Sequence, residues 1–207
     1  MPLTVDDIHA ALALAPLGPR TDFDLNPEIR SRQLNEHSER PAAVLCGLRK
    51  RSGTLHVVLT QRSPHLAQHA GQVAFPGGKI DVTDRTPLDA ALREAEEEVG
   101  LPRERVRIIG ELDPYFTSTG FRVTPFVGVV PGDWTPVPEP GEVDEIFEPP
   151  LDFLMDPVNR QRHHHDRLGY RRYYYAMPWK GRYIWGATAG MLKGLSDRLA
   201  ATGRLRP

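Results

Sequence analysis

Arg93, Glu94, Glu96, Glu97 and Glu98 put one guanidinium and four carboxylates into six consecutive positions. At roughly 100° per helical residue, Glu94, Glu97 and Glu98 share one arc as i, i+3 and i+4 neighbours, and Glu96 points elsewhere. Like charges about 5 Å apart repel by roughly 3 kcal/mol at an effective dielectric near 20. The acids also lie just before Gly100, in the last turns of the helix, where the macrodipole disfavours negative charge. A divalent cation reverses both penalties, and oxygen-only donors suit Mg²⁺ or Mn²⁺ rather than zinc. The competing reading is a solvated acidic face, on which Arg93 forms an ordinary ion pair with Glu97 or holds one carboxylate in position.

The helix that must carry these acids is the clearest element of the chain. Thr86 is its expected N-cap, Pro87 its first residue, Asp89 a near capping box, and Gly100 its left-handed end. Leu88, Leu92, Ala95 and Val99 form the apolar stripe. Upstream, residues 4–14 predict a short helix capped by Thr4, with Asp6 and Asp7 in its first turn, and 15–40 an irregular surface wrap. Strands are expected at 41–50, at 54–62 after a tight turn, and at 72–78, ending in the turn signal Pro76-Gly77-Gly78. Two more are expected at 105–116 and 120–130, then a long loop at 131–150 holding six prolines and a short strand near 143–148. Residues 171–186 read as a hairpin and 187–202 as a closing helix with Leu192, Leu195 and Leu199 on one face. The expectation is one domain over 1–207: a mixed sheet with helices packed against it.

Composition narrows the function classes. The chain has 207 residues, 40% hydrophobic and 26% charged, with a net charge of −1, so neither nucleic acid nor an anionic membrane is an expected partner. The single cysteine, Cys46, excludes a disulfide framework and suits a reducing cytoplasm. No apolar run reaches the roughly 18 residues of a membrane helix, and no signal pattern opens the chain. The run "RHHHDR" (162–167) is expected to be a solvated loop, because consecutive histidines in a strand cannot all face one ion. The basic and aromatic run "RRYYYAMPW" is expected to be packing rather than a nucleic-acid surface.

Gly78, Arg93, Glu94, Glu97, Glu98 and Gly100 together resemble the Nudix box, in which a glycine precedes the pattern Arg-Glu-apolar-any-Glu-Glu-any-Gly-apolar. Here Asp84 stands where the box has its first glutamate, eight residues rather than seven separate it from Arg93, and Ala95 fills the apolar slot. The resemblance implies an α/β/α sandwich around a mixed sheet (an α/β, more strictly α+β, fold). It also implies a hydrolase that splits a pyrophosphate with the help of divalent cations, and cation ligands Glu94 and Glu98. Glu97 is then a further ligand or, like Glu98, a base; Gly77 and Gly78 allow close backbone approach, and Arg93 orients the acids.

The stretch "LTQRSPHLAQHAGQVAFPGG" (59–78) resembles the coenzyme A pyrophosphatase branch of that family, as do "TSTGFRVTPFVG" (117–128) and "IWGATAGML" (184–192). The branch carries a second arginine where this chain has Ala67. The implied substrate is coenzyme A or its thioesters, with Arg62, Ser63, His69 and Gly77 on the substrate side and a homodimer compatible with it. The alternatives are another nucleoside diphosphate-linked substrate, such as ADP-ribose or a dinucleoside polyphosphate, and a non-catalytic nucleotide-binding regulator. His65 is a further loop histidine of the same stretch, and Phe75 is read as core. Of the acids outside the box, Glu111, Asp113, Glu142 and Glu145 are equally open as an extra ligand or base.

Overall fold

The computed structural model describes residues 2–28, 40–167 and 170–205. Residues 29–39, part of the expected surface wrap, lie outside the described residues. The central pair is β2 (Arg40–Arg51) and β9 (Phe121–Val130), parallel and in unbroken register from Arg40↔Phe121 to Arg49↔Val130. β3 (Thr54–Val57) and β6 (Gly77–Lys79) pair antiparallel with different halves of β2. β7 (Arg107–Glu111) and β8 (Tyr115–Phe116) pair antiparallel with β9, and β1 (Arg20–Thr21) runs parallel to β8. The result is a seven-stranded mixed sheet.

Alternation along these strands creates the two helical layers. Ala43, Leu45, Phe126 and Val130 face α2 (Pro87–Val99). Ala42, Cys46, Leu48, Val123 and Val127 pack in the larger core with α1 (Val5–Leu12) and α4 (Gly186–Ala201), where Leu192, Leu195 and Leu199 are fully buried. The expected sandwich is therefore present. Thr4 and Asp7 close a reciprocal capping box on α1; Thr86 caps α2 through the N–H of Asp89 at 3.1 Å, and Gly100 ends it at φ +65°.

Four local expectations are corrected. The strand at 54–62 divides at Val58, whose N–H bonds Gly47; β4 (Leu59–Arg62) then leaves for a second sheet between β10 (Val143–Phe147) and β5 (Val73–Ala74). Pro76-Gly77-Gly78 is not a turn, since Gly77 and Gly78 open β6 against β2. The strand at 105–116 divides into β7 and β8 across the segment containing Pro114, which lacks a ladder donor. Finally, 161–167 is β11 (Gln161–Arg167), in a third sheet with β12 (Tyr170–Trp179) and β13 (Arg182–Trp185). Its histidines stand in the ladder as His163↔Tyr174, His164↔Tyr173 and His165↔Arg172, and the first two meet the ring opposite. A short helix, α3 (Leu151–Met155), follows Pro149-Pro150 and buries Leu151, Leu154 and Met155.

Candidate active site

Small residues decide where the acids go. The buried arc of α2 runs through Ala91, Ala95 and Glu98, while Leu88 and Leu92 are only half-buried. Two alanines let the helix sit close on the sheet, and the next residue on that arc is a carboxylate. Glu98 is 2% exposed. Its Oε2 accepts the backbone N–H of Gly77 at 3.1 Å and its Oε1 faces Nη1 of Arg62 at 3.3 Å. Burial pushes its pKa up to about 7, against the opposing pull of Gly77 and Arg62. Glu94 is also raised, first by burial, with Arg93 pulling the other way.

Arg93 gathers the loop and the acids. Its Nε and Nη2 form a two-pronged contact with Asp84 at 3.0 and 2.9 Å, its Nη1 donates to Glu94 at 3.0 Å and Glu97 at 2.9 Å, and Nη2 also meets the carbonyl of Lys79. Asp84 is held low by Arg93 first and also accepts the N–H of Asp81 at 2.7 Å, so it closes the loop before α2. Glu97, by contrast, is 58% exposed.

The arrangement fits a hard cation as an open site. A Cβ built on Gly78 would stand 2.5 Å from Oε1 of Glu94, so the absence of a side chain there makes room for that carboxylate. Glu94 and Glu98, an i, i+4 pair in a poorly hydrated pocket, are both harder to ionise than ordinary glutamates, a cost that a cation removes. Among the described residues no three acid, histidine or cysteine side chains stand as a ready-made cage.

On the other side of Gly77 and Arg62 opens a cleft of about 570 Å³. Its floor crosses the sheet through Val44, Val123 and Tyr115, and its walls include segments 117–119 and 185–188. Arg62, Gly77 and His69 line it; His69 adopts φ +57° and its Nδ1 pairs with Gln72 at 3.0 Å. Ser63 is buried, its N–H donating to the carbonyl of Glu142 at 2.8 Å and its Oγ accepting the N–H of His65. Its side chain shapes the end of β4 rather than the cleft lining. Phe75 is 1% exposed and packs in the core, with part of its surface on the cleft.

Other features of the site are not marked in the sequence. The proline-rich loop lies along the C-terminus of α2, where the N–H groups of Val137 and Glu139 bond the carbonyls of Val99 and Glu98 and the indole of Trp134 bonds that of Gly100. It thereby satisfies the orphan end of the helix. The loop also carries Glu142, whose charge adds to the rise of both Glu94 and Glu98, so it is the outer acid that the fold brings into their field. Asp22, at the far wall of the cleft, accepts from Tyr115 and Ser118 and pairs with Arg172.

A model of the NUDIX domain matches residues 39–169. The chain is 40% identical over 204 residues, 97% of each chain, to a protein of Shigella flexneri described as an uncharacterized Nudix hydrolase, NudL. It is 42% identical over 182 residues, 86% of this chain and 90% of the relative, to a protein of the same description from Klebsiella pneumoniae. Among solved structures it resembles a MutT protein from Methanosarcina mazei Go1, with a TM-score of 0.51 and 17% identity over 82% of this chain and 99% of that one; this likeness concerns the fold alone. No helix among the described residues is long and apolar enough to cross a membrane.

Proposed function

The chain belongs to the Nudix hydrolase family, and on that premise we propose that it is a Mg²⁺- or Mn²⁺-dependent pyrophosphatase that cleaves coenzyme A or its thioesters into 3′,5′-ADP and (acyl-)4′-phosphopantetheine. One observation carries the choice of substrate. The three segments that resemble the coenzyme A branch, 59–78, 117–128 and 184–192, all contribute to one cleft beside Glu98. Its volume falls in the usual range of ligand pockets, about 300–1,000 Å³.

In this reading Glu94 and Glu98 hold the cation, with Glu97 and the Gly78 backbone as further ligands. When bound, the cation neutralises pyrophosphate charge and makes the attacking water more acidic. The rest is done by the chain. Arg93 fixes the directions of Glu94 and Glu97. Glu97 or Glu98 takes the proton of the attacking water. Arg62 presents its fork to phosphate oxygens between Glu98 and the cleft. The backbone of Gly77 permits close approach, His69 borders the entering ligand, and Ser63 sets the end of β4 on which Arg62 stands.

Ala67, exposed in the loop after β4, favours a second reading in which the pyrophosphate belongs to ADP-ribose or a dinucleoside polyphosphate. Turnover of coenzyme A, an acyl thioester, ADP-ribose and a dinucleoside polyphosphate with Mg²⁺ or Mn²⁺, with products identified by mass, separates the readings. Coenzyme A cleaved to 3′,5′-ADP supports the first. Cleavage of the others alone replaces it with the second. A protein that binds nucleotides and cleaves none of them is a regulator that has kept the fold.

A further inference from the structure

The cleft is lined by three arginines and one lysine whose partners differ. Arg20 and Lys193 converge on one carboxylate, Asp197, at 2.5 Å and at 2.7 and 2.6 Å. Arg62 faces Glu98. Arg172 reaches Oδ2 of Asp22 at 2.9 Å, yet that carboxylate already accepts the hydroxyl of Tyr115 at 2.9 Å and both the N–H and the hydroxyl of Ser118 at 2.8 Å. Asp24, the other acid lining this end, turns Oδ1 to the N–H of Thr21 at 3.2 Å. Arg62 and Arg172 each bury an Nε with no hydrogen-bond partner. The guanidinium of Arg172 also lies over the ring of Phe23, 5.2 Å from its centroid. The Phe23 and Asp22 contacts hold the side chain in place and its Nε hydrogen is left unpaired, and a guanidinium held in this way is suited to an oxyanion.

The two arginines serve opposite ends of the cleft. Gly77 lies on β6 and Asp22 just after β1, and the order β6-β2-β9-β8-β1 puts four strand spacings between them. At about 4.8 Å each, that is about 19 Å of sheet. A single pyrophosphate held beside Glu98 does not reach the far wall. We propose that Arg172, positioned by Asp22, is a specificity-determining residue that takes a substrate oxyanion remote from the scissile pyrophosphate. This rests on the cleft being the substrate site. The oxyanion is either a phosphomonoester on the nucleotide or a carboxylate at the end of an acyl arm.

Calorimetric binding in metal-free buffer, where no turnover occurs, tests it with two pairs: 3′,5′-ADP against AMP, and succinyl-coenzyme A against butyryl-coenzyme A. In one pair the wild type should favour the more anionic member by roughly 10- to 100-fold. Arg172→Met should erase that preference while leaving the other member's affinity unchanged. Arg172→Lys, the conservative variant, should keep part of it, and Asp22→Asn should weaken it. No preference in either pair overturns the inference, as does an Arg172→Met protein that loses affinity alike for both members of the pair in which the wild type discriminates. A preference that depends on Arg172 in a protein that hydrolyses no coenzyme A compound upholds this inference and overturns the coenzyme A reading. Hydrolysis of coenzyme A without any preference does the reverse.

Discussion

Oε2 of Glu98, on α2, accepts the backbone N–H of Gly77, on β6, at 3.1 Å. A strand edge and a helix end are thus tied by one part-buried hydrogen bond, and the tie depends on a residue without a side chain. Gly77 has φ +152°, and a Cβ there would stand 2.6 Å from the Cα of Val44. Gly77→Ala should therefore cost about 2–5 kcal/mol in denaturant unfolding, combining strain with backbone overpacking. Gly18→Ala is the control: φ is +102° but nothing lies within 4 Å, so strain alone applies and the loss should be smaller. Equal losses would refute the packing argument.

Glu98 also gives the cation-free protein a pH dependence of definite sign. Its ordinary pKa is 4.5 and burial raises it to about 7. Between these values the folded protein holds a proton that the unfolded chain has released, so stability falls as pH rises through this window. The Glu98 contribution is on the order of 3 kcal/mol, fully present below pH 4.5 and lost above 7. Glu94, raised in the same direction, adds to the slope. In the presence of a chelator, urea midpoints at pH 5 and pH 8 should differ in the wild type and differ less in Glu98→Gln. Mg²⁺ should restore stability mainly at the higher pH, because binding requires the ionised acids. A wild-type midpoint that rises with pH would sink this account.

The helix carrying the acids was legible because its signals are local: Thr86, Pro87 and Gly100 punctuate it, and each does what its residue type predicts. Arg93 also meets Glu94 and Glu97, at one and four residues' spacing, whereas Glu98 turns to Gly77 and Arg62. The burial of Glu98 was not legible: spacing puts it on the arc of Ala91 and Ala95, but Leu88 and Leu92 announce a stripe beside that arc and prove only half-buried. Nor could the sequence join Asp22 to Arg172, which are separated by most of the chain, or bring Glu142 to the acids through a loop whose prolines announce only rigidity. The strand divisions at Val58 and Pro114 and the histidine strand share one cause. Which sheet a short segment joins is decided by its partners, not by its own composition.

The N-terminal helix and the closing helix are proposed to belong to one cooperative domain over 1–207, and a buried ion pair makes this testable. Arg198 donates its Nε to Asp113 at 3.0 Å with both side chains 4% exposed, and its Nη1 reaches the carbonyl of Leu14 at 3.2 Å beyond the end of α1. Asp113 also accepts the N–H of Gly18 at 3.2 Å. Removing one partner strands the other, so Arg198→Met or Asp113→Asn should cost about 3–5 kcal/mol, and Arg198→Met/Asp113→Leu less than either change predicts. Calorimetry should show a single transition that moves down intact. A second, separately shifted transition would show that the terminal helices unfold on their own.

Arg93 and Asp84 form the last testable pair, and they decide what Asp84 is for. Its two oxygens are taken by Nε and Nη2 of Arg93 and by the N–H of Asp81, which leaves little for a cation. Asp84 should therefore act through Arg93, whose remaining donor, Nη1, directs Glu94 and Glu97. A lysine has the charge but not the fork, so Arg93→Lys should lower kcat/KM by roughly 10- to 100-fold. Asp84→Asn should have a similar but smaller effect. Because the two act as one unit, the double variant should be little worse than Arg93→Lys alone. If Asp84→Asn instead raised the Mg²⁺ concentration needed for half-maximal rate far more than Arg93→Lys did, with fully additive losses, Asp84 would be a cation ligand and its role in closing the loop before α2 would be secondary.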